Sequence, residues 1–434
     1  MTAQNPIQKI LQYKNASPDE AKFFWSGGPV EVAERTYFQS FMSGCTAFDT
    51  DEGLVLIDTG TQTASTMLAG DLRKHTQAPV HTAVYTHGHV DHAYGLQNFM
   101  VEGQDKPEVI AHRASLARFE RYERTRSHNL VINARQFGGT AEAATQMKTL
   151  GVFQAPVIMP TRLLDDHLEL EVGGLRFELR HSRGETDDHV WVWCPERRVL
   201  CTGDLFIYAV PNAGNPQKVQ RYPWDWAAGL REMAALRPAS LCPGHGGPVV
   251  DDEEKIQRML IETADYLDSL VEQTLAAMAD GSPPHVDIVR RVVAPVSESP
   301  WLQPVYDEAE FIVRNVIRYY GGWWSGRPSE LKPAGRNEVA TEMAVLAGGA
   351  LALAERAQEL ATTGDWRLAC HLADYALEAE PQGARIQTIV AAIYSGRAET
   401  ETSLMAANLY NSAAAYAKVG QPFAEPPCPQ ENKK

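Results

Sequence analysis

What is scarce in this chain narrows the field first. No run in its 434 residues approaches the roughly 18 apolar residues that a membrane span requires. The opening segment, MTAQNPIQKILQYKNASPDE, has neither the apolar stretch nor the small-residue cleavage site of a secretory signal. Cysteine is sparse: Cys45, Cys194, Cys201, Cys242, Cys370 and Cys428 are scattered, with no C-x-x-C pair. That pattern argues against a disulfide framework or a zinc knuckle and reads as reduced thiols in a cytoplasmic protein. Positive charge is in deficit, 40 Lys and Arg against 55 Asp and Glu, for a net charge of −15. A polyanion partner needs a basic face, so nucleic acid is disfavoured. A small anionic substrate is not, because one local cation outweighs a distant negative background.

What remains is the composition of an ordinary globular protein, long enough for two or three cores. Up to about residue 250, β-rich apolar runs alternate with loops and helices. GLVLID (53–58) and HTAVYT (81–86) flank TASTMLAGDLRKH, which has helical spacing, so a βαβ unit is expected. EVIAH (108–112) supplies another strand, and LELEVGGLRFELRH alternates on both sides of Gly173-Gly174 like a hairpin. VWVW, RRVLCTGD and ASLCPGHGGP continue the series. From Asp251 the signals are helical: one amphipathic helix up to Gly281 and Pro283-Pro284, a second ending at Gly321-Gly322, then further helices. One of these segments has the punctuation of a tetratricopeptide-like pair. The tail, PFAEPPCPQENKK, reads as loose. The domains are therefore drawn at 1–250 and 251–434.

The chemistry concentrates in VYTHGHVDHAYG (84–95). His87, His89, Asp91 and His92 fall within six residues, just after a β-branched run. Imidazole and carboxylate donors in one short arc suit zinc-like divalent ions. One loop cannot close two sites, so further donors are expected downstream. Glu185 in RHSRGETDDHV, Asp204 in LCTGDLF and His245 in LCPGHGGP each follow a strand and sit beside glycine.

T-H-x-H-x-D-H, a Gly-turn ligand, G-D and a late G-H together resemble the metallo-β-lactamase superfamily. GLVLIDTG is similar to its first motif, in which Asp58 would buttress the metal loop. The resemblance implies an α/β fold, an αβ/βα sandwich with metals at its edge, followed by an all-α domain. In most of the superfamily the Gly-turn ligand is a histidine; Glu185 at that position resembles the alkylsulfatase branch. YYGGWWSGRPSELKP and GGALALAERAQELATTGDWRLACHLADYALEAEP resemble that branch's dimerisation domain, which implies a homodimer. The branch usually has Glu where this chain has Asp204, and its Gly-turn reads G-T-E where this chain reads G-E-T. Its third, sterol-carrier-like domain has no legible counterpart.

By this resemblance His87, His89 and Glu185 hold one of two zinc ions per chain. Asp91, His92 and His245 hold the other, Asp204 bridges them, and Asp91 and Asp204 are the candidate catalytic carboxylates. A water shared by two cations deprotonates near neutral pH and becomes a nucleophile. His181, His189 and His112 read as neighbours of the ligands rather than ligands. Asn212, Lys218, Arg221 and Tyr208 are candidate substrate contacts. The charged ones read equally well as an anion clamp or as a solvated loop. Trp191 and Trp193 read as core, and Trp323 and Trp324 as residues that pack the helical half against the sandwich or a second subunit.

Two hydrolytic readings follow. One is a sulfate ester of a small or medium alcohol; the alternative is a carboxylic ester, lactone or thioester on the same fold. A redox di-iron protein is disfavoured, because His89 stands where that class carries glutamate. A silent scaffold would need fewer ligands and no open position.

Overall fold

The computed structural model describes residues 22–149, 153, 158–281 and 286–423. Cys428, the tail beyond Phe423 and Pro283-Pro284 lie outside them. Two compact units divide the described chain: residues 22–124 with 153–323, and residues 125–149 with 324–423.

The first unit is built on two sheets. Seven strands run in chain order: β1 (Gly27–Ala33), β2 (Thr36–Phe41), β3 (Ser43–Thr50), β4 (Gly53–Ile57), β5 (Val80–Val84), β6 (Glu108–His112) and β7 (Arg162–Leu164). The first four pair antiparallel and the last four parallel. Helix α1 (Ala64–Leu72) makes the expected crossover from β4 to β5. The single-turn α2 (Val90–Ala93) follows β5, and α3 (Ala114–Arg124) follows β6. The second sheet holds β8 (His167–Val172), β9 (Leu175–His181), β10 (Val190–Cys194) and β11 (Val199–Ile207) as an antiparallel meander. Helix α6 (Pro223–Ala235) carries the chain to β12 (Ser240–His245), parallel to β11. Gly173 and Gly174 turn β8 into β9 with φ of +55° and +80°, backbone that a type I′ turn requires and that glycine adopts without strain.

Why the strands read as unbroken apolar runs is clear from the layers. Phe48, Val55, Val84 and Ile110 meet Phe177, Leu179 and Val192 between the sheets. The alternate residues Leu54, Leu56 and Ala83 pack outward on Leu68 and Leu72 of α1 and Phe119 of α3. Both faces are buried, so period-two side chains are apolar at every position. On the far side, Trp191 and Trp193 are core, as expected. They join Trp226 and Leu230 of α6, Ile256 and Leu260 of α7 (Glu253–Ala279), and Ile312 and Val316 of α9 (Ala309–Tyr320). The short α8 (Val286–Arg291) lies between α7 and α9 in the chain. Residue 250 thus falls inside this unit, because the apolar stripe of α7 covers the outer face of the second sheet.

The second unit is helical. It joins α4 (Arg126–Gln136) and α5 (Ala141–Thr149) to α10 (Arg336–Ala347), α11 (Ala350–Thr362), α12 (Trp366–Ala379), α13 (Ala384–Glu399) and α14 (Leu404–Ala417). Helices α11 and α12 pack through small side chains, Ala354 and Ala357 with Ala369 and Ala373. The insertion is tied down by Ser412, whose Oγ donates to Gly139 O at 2.6 Å, and by Arg135, whose guanidinium lies 4.1 Å from the Phe423 ring. Trp323, expected to pack on the sandwich or on a second subunit, is 74% exposed in the single chain. The five described cysteines are free thiols. Among the described residues, no helix is long and apolar enough to cross a membrane.

Candidate metal centre

Every ligand candidate except Asp204 lies at or beyond the end of a strand. His87 and His89 occupy the loop after β5, and Asp91 and His92 the single turn of α2. Glu185 sits in the turn between β9 and β10, and His245 ends β12. Asp204 differs from its sequence reading: β11 continues past it to Ile207. The β11–β12 ladder shifts register on both sides of Gly203, and this irregularity turns Asp204 into the site from within the strand. Gly244, beside it on β12, must be glycine, since a Cβ there would lie 2.1 Å from Asp204 Oδ1.

The donors form two groups. Donor atoms of His87, His89, Glu185 and Asp204 all lie within 4.8 Å of one another, as do those of Asp91, His92 and His245. Asp204 faces both. Its Oδ2 lies 3.8 Å from His87 Nε2, while Oδ1 lies 3.2 Å from His92 Nε2 and 3.4 Å from His245 Nε2. Glu185 Oε2 lies 3.3 Å from His89 Nδ1 and 3.5 Å from His87 Nε2. Glu185 Oε2, His92 Nε2 and Asp204 Oδ1 are buried with no hydrogen-bond partner. Convergent buried lone pairs without protons between them are costly unless a cation satisfies them, so these residues fit a metal pair.

Outer contacts orient the rings. Asp58 accepts from Thr86 N (2.8 Å) and Thr86 Oγ1 (2.7 Å), and its Oδ2 lies 2.8 Å from His92 Nδ1. It buttresses the loop, as the sequence suggested. Thr86 Oγ1 also lies 3.0 Å from His87 Nδ1, and Met42 O contacts His245 Nδ1. In all three rings the far nitrogen is engaged and Nε2 faces the centre, where that of His87 lies 2.8 Å from His89 Nδ1. Burial, reinforced by the neighbouring imidazoles, pushes His87 well below its ordinary pKa. Burial, followed by the charges of Arg221 and Arg118, does the same to His89. Both are held neutral, the ligating form. Burial alone would also lower His92, but Asp204, Asp58 and Asp91 outweigh it and raise it.

Three anchoring residues were not found from sequence. Buried Asp188 accepts from Gly88 N (2.9 Å), Ser115 Oγ (2.9 Å) and Arg118 Nε (2.8 Å), locking the metal loop to α3 and to the Glu185 turn. The only hint was the Asp187-Asp188 pair next to Glu185. His181 stacks on His112 at 3.9 Å, and His189 stacks on His87 at 4.7 Å. None of these three histidines beside the ligands, His112, His181 and His189, is in either donor group. The proposed substrate residues separate. Asn212 Nδ2 donates to Glu185 Oε1, and Arg221 Nη1 forms an ion pair with the same oxygen. Tyr208 is buried against Phe206. Lys218 stands in the field of Asp91; burial outweighs that attraction and brings its pKa down to about 7.

Paired donor groups at the edge of such a sandwich define a class. Residues 41–245 match the metallo-beta-lactamase superfamily model, and the chain belongs to that superfamily. Residues 285–420 match the alkyl sulfatase dimerisation model, which places the chain in the alkylsulfatase-like branch. A linear primary-alkylsulfatase of Pseudomonas sp. is 27% identical over 346 residues, 76% of this chain and 65% of that protein. An (R)-specific secondary-alkylsulfatase of Pseudomonas sp. is 25% identical over 371 residues, 77% of this chain and 54% of that protein. The chain thus spans less than two thirds of either relative's length. The solved structure of a stereoselective inverting sec-alkylsulfatase from Pseudomonas sp. shares the fold, with a TM-score of 0.80 at 22% identity. The match covers 97% of this chain and 69% of that one.

Proposed function

We propose that this chain is a metal-dependent hydrolase that cleaves the sulfate ester of a small or medium-sized alcohol with two zinc ions per chain. The observation that carries the reading is the pair of donor groups meeting at Asp204, with a carboxylate, Glu185, at the Gly-turn. The dimerisation-domain match supports the same branch from the other end of the chain. When bound, a zinc pair supplies Lewis acidity and an activated water at neutral pH. Asp58, Thr86 and Met42 fix the imidazoles, and Asp188 fixes the segment that bears four of the ligands. Asp91, with 29% of its side chain exposed, and Asp204 are the carboxylates assigned to the reacting centre. Lys218, in the field of Asp91, is the cation assigned to the substrate's anionic group. Tyr208 and Phe206 give an apolar aromatic wall.

The acyl alternative, a carboxylic ester, lactone or thioester, draws on one observation. Arg221 is engaged by Glu185, so half of the expected anion clamp is already occupied. Metal content of the purified protein, with hydrolysis of a panel of alkyl sulfates, lactones and thioesters, separates the two. About two zinc per chain with sulfate release is the expected result. Zinc with acyl hydrolysis alone replaces the substrate class, and no bound metal overturns the reading.

A further inference from the structure

We infer that Arg221 is a positioning residue for Glu185, fixing which carboxylate oxygen faces the metal and balancing that ligand's charge, rather than a contact for the substrate. The inference rests on reading His87, His89, Glu185 and Asp204 as a metal site.

Glu185 divides its two oxygens. Oε1 receives Arg221 and Asn212, while Oε2 has no hydrogen-bond partner and points at the ring nitrogens of His87 and His89. A carboxylate free to rotate would present either oxygen; one held on the same atom by the Asn212 amide and by the charge of the Arg221 guanidinium presents the other. Arg221 is itself immobilised. The side-chain amide of Asn315, on α9, accepts from Arg221 N at 3.4 Å and donates to Arg221 O at 3.0 Å. The next residue, Tyr222, donates its backbone N–H to Gly184 O at 2.9 Å, so main chain and side chain clasp the Glu185 turn together. Both charged side chains are about 3% exposed. A buried guanidinium needs an anionic partner in place before any substrate arrives; Glu185 is the one in contact, and the buried Asp307 adds its field. The cation also offsets the charge that distinguishes a glutamate ligand from a neutral imidazole.

The claim predicts a reversal of sign. With Glu185 present, R221M weakens zinc retention at one of the two positions about tenfold to a hundredfold. With E185H, Arg221 loses its contact anion and stands beside a divalent ion with only the field of Asp307 to offset it, and that zinc is lost. In E185H/R221M the strain is relieved and the zinc returns. Zinc affinity is read by competition with a chromophoric chelator, and geometry by the visible spectrum of the cobalt-substituted protein. Wild type is measured first: two bound ions there support the metal-site reading independently of Arg221. Given that, a double variant at least tenfold tighter than E185H supports the inference. Effects of R221M and E185H that simply multiply overturn it. If E185H does not fold, R221M and R221K decide. R221M altering the cobalt spectrum and zinc release, with recovery in R221K, supports the assignment. Unchanged metal binding with a raised KM for alkyl sulfate makes Arg221 a substrate contact and sinks it.

Discussion

Each imidazole that turns Nε2 toward the centre has its other nitrogen engaged: His87 by Thr86, His92 by Asp58, His245 by Met42. This explains why the ligands were legible in sequence while their supports were not. Donor type and loop position are local properties, visible in THGHVDH. A backbone carbonyl such as that of Met42, or a salt bridge from Arg118 to Asp188 across 70 residues, leaves no local trace. The two cations of the expected anion clamp part company. Lys218 and Arg221 sit three residues apart in one polar stretch, but the fold leaves one in the field of Asp91 and sets the other onto Glu185. Their consequences therefore differ. Lys218, with its pKa brought down to about 7, is charged below that pH and loses its charge above it. For an alkyl sulfate substrate, KM should rise as pH climbs through about 7. K218A should raise KM about tenfold, or about 1.4 kcal/mol, at pH 6, with a smaller effect at pH 9. Steady-state kinetics across that range checks both; a KM without pH dependence rejects the role.

At the level of elements, the strands carry the donors and the approach of β11 to β12 sets their spacing. G244A places a methyl group 2.1 Å from Asp204 Oδ1 and 2.6 Å from Gly203 C. We expect normal circular dichroism but loss of bound zinc, measured by elemental analysis; retained zinc contradicts the proposed bridging role of Asp204. The loop-to-helix lock makes a different prediction. R118M leaves Asp188 buried without its cation, which costs about 3–5 kcal/mol of stability. R118M/D188N should recover part of that loss in a urea titration. The strands at 53–58, 81–86 and 108–112 and the Gly173-Gly174 hairpin were readable because short apolar runs and turn chemistry are local signals. The extension of β11 past Asp204 was not, because a register shift depends on the neighbouring strand.

For the whole molecule, length and composition allowed two or three ordinary cores but left open how the chain shares itself between them. Helix α10 buries only Ala340 and Ala344 among its residues, while Val345 and Leu346 are 70% and 81% exposed. An apolar surface of that kind fits the homodimer proposed from the dimerisation domain. Light scattering should report a dimer for the wild type and a monomer for L346E; a monomeric wild type at micromolar concentration removes the proposal.

The helices at 126–149 belong with those near the far end of the chain, and the bond from Ser412 to Gly139 spans 273 residues. During synthesis, α4 and α5 leave the ribosome long before α14 exists to cover them. At roughly 5–20 residues per second, that wait lasts on the order of 14 to 55 seconds. For that interval the nascent protein carries a half-built helical bundle. Its dependence on chaperones should therefore fall in the last stage of translation, and a stop codon before residue 404 should yield a protease-sensitive product even when every metal ligand has been made.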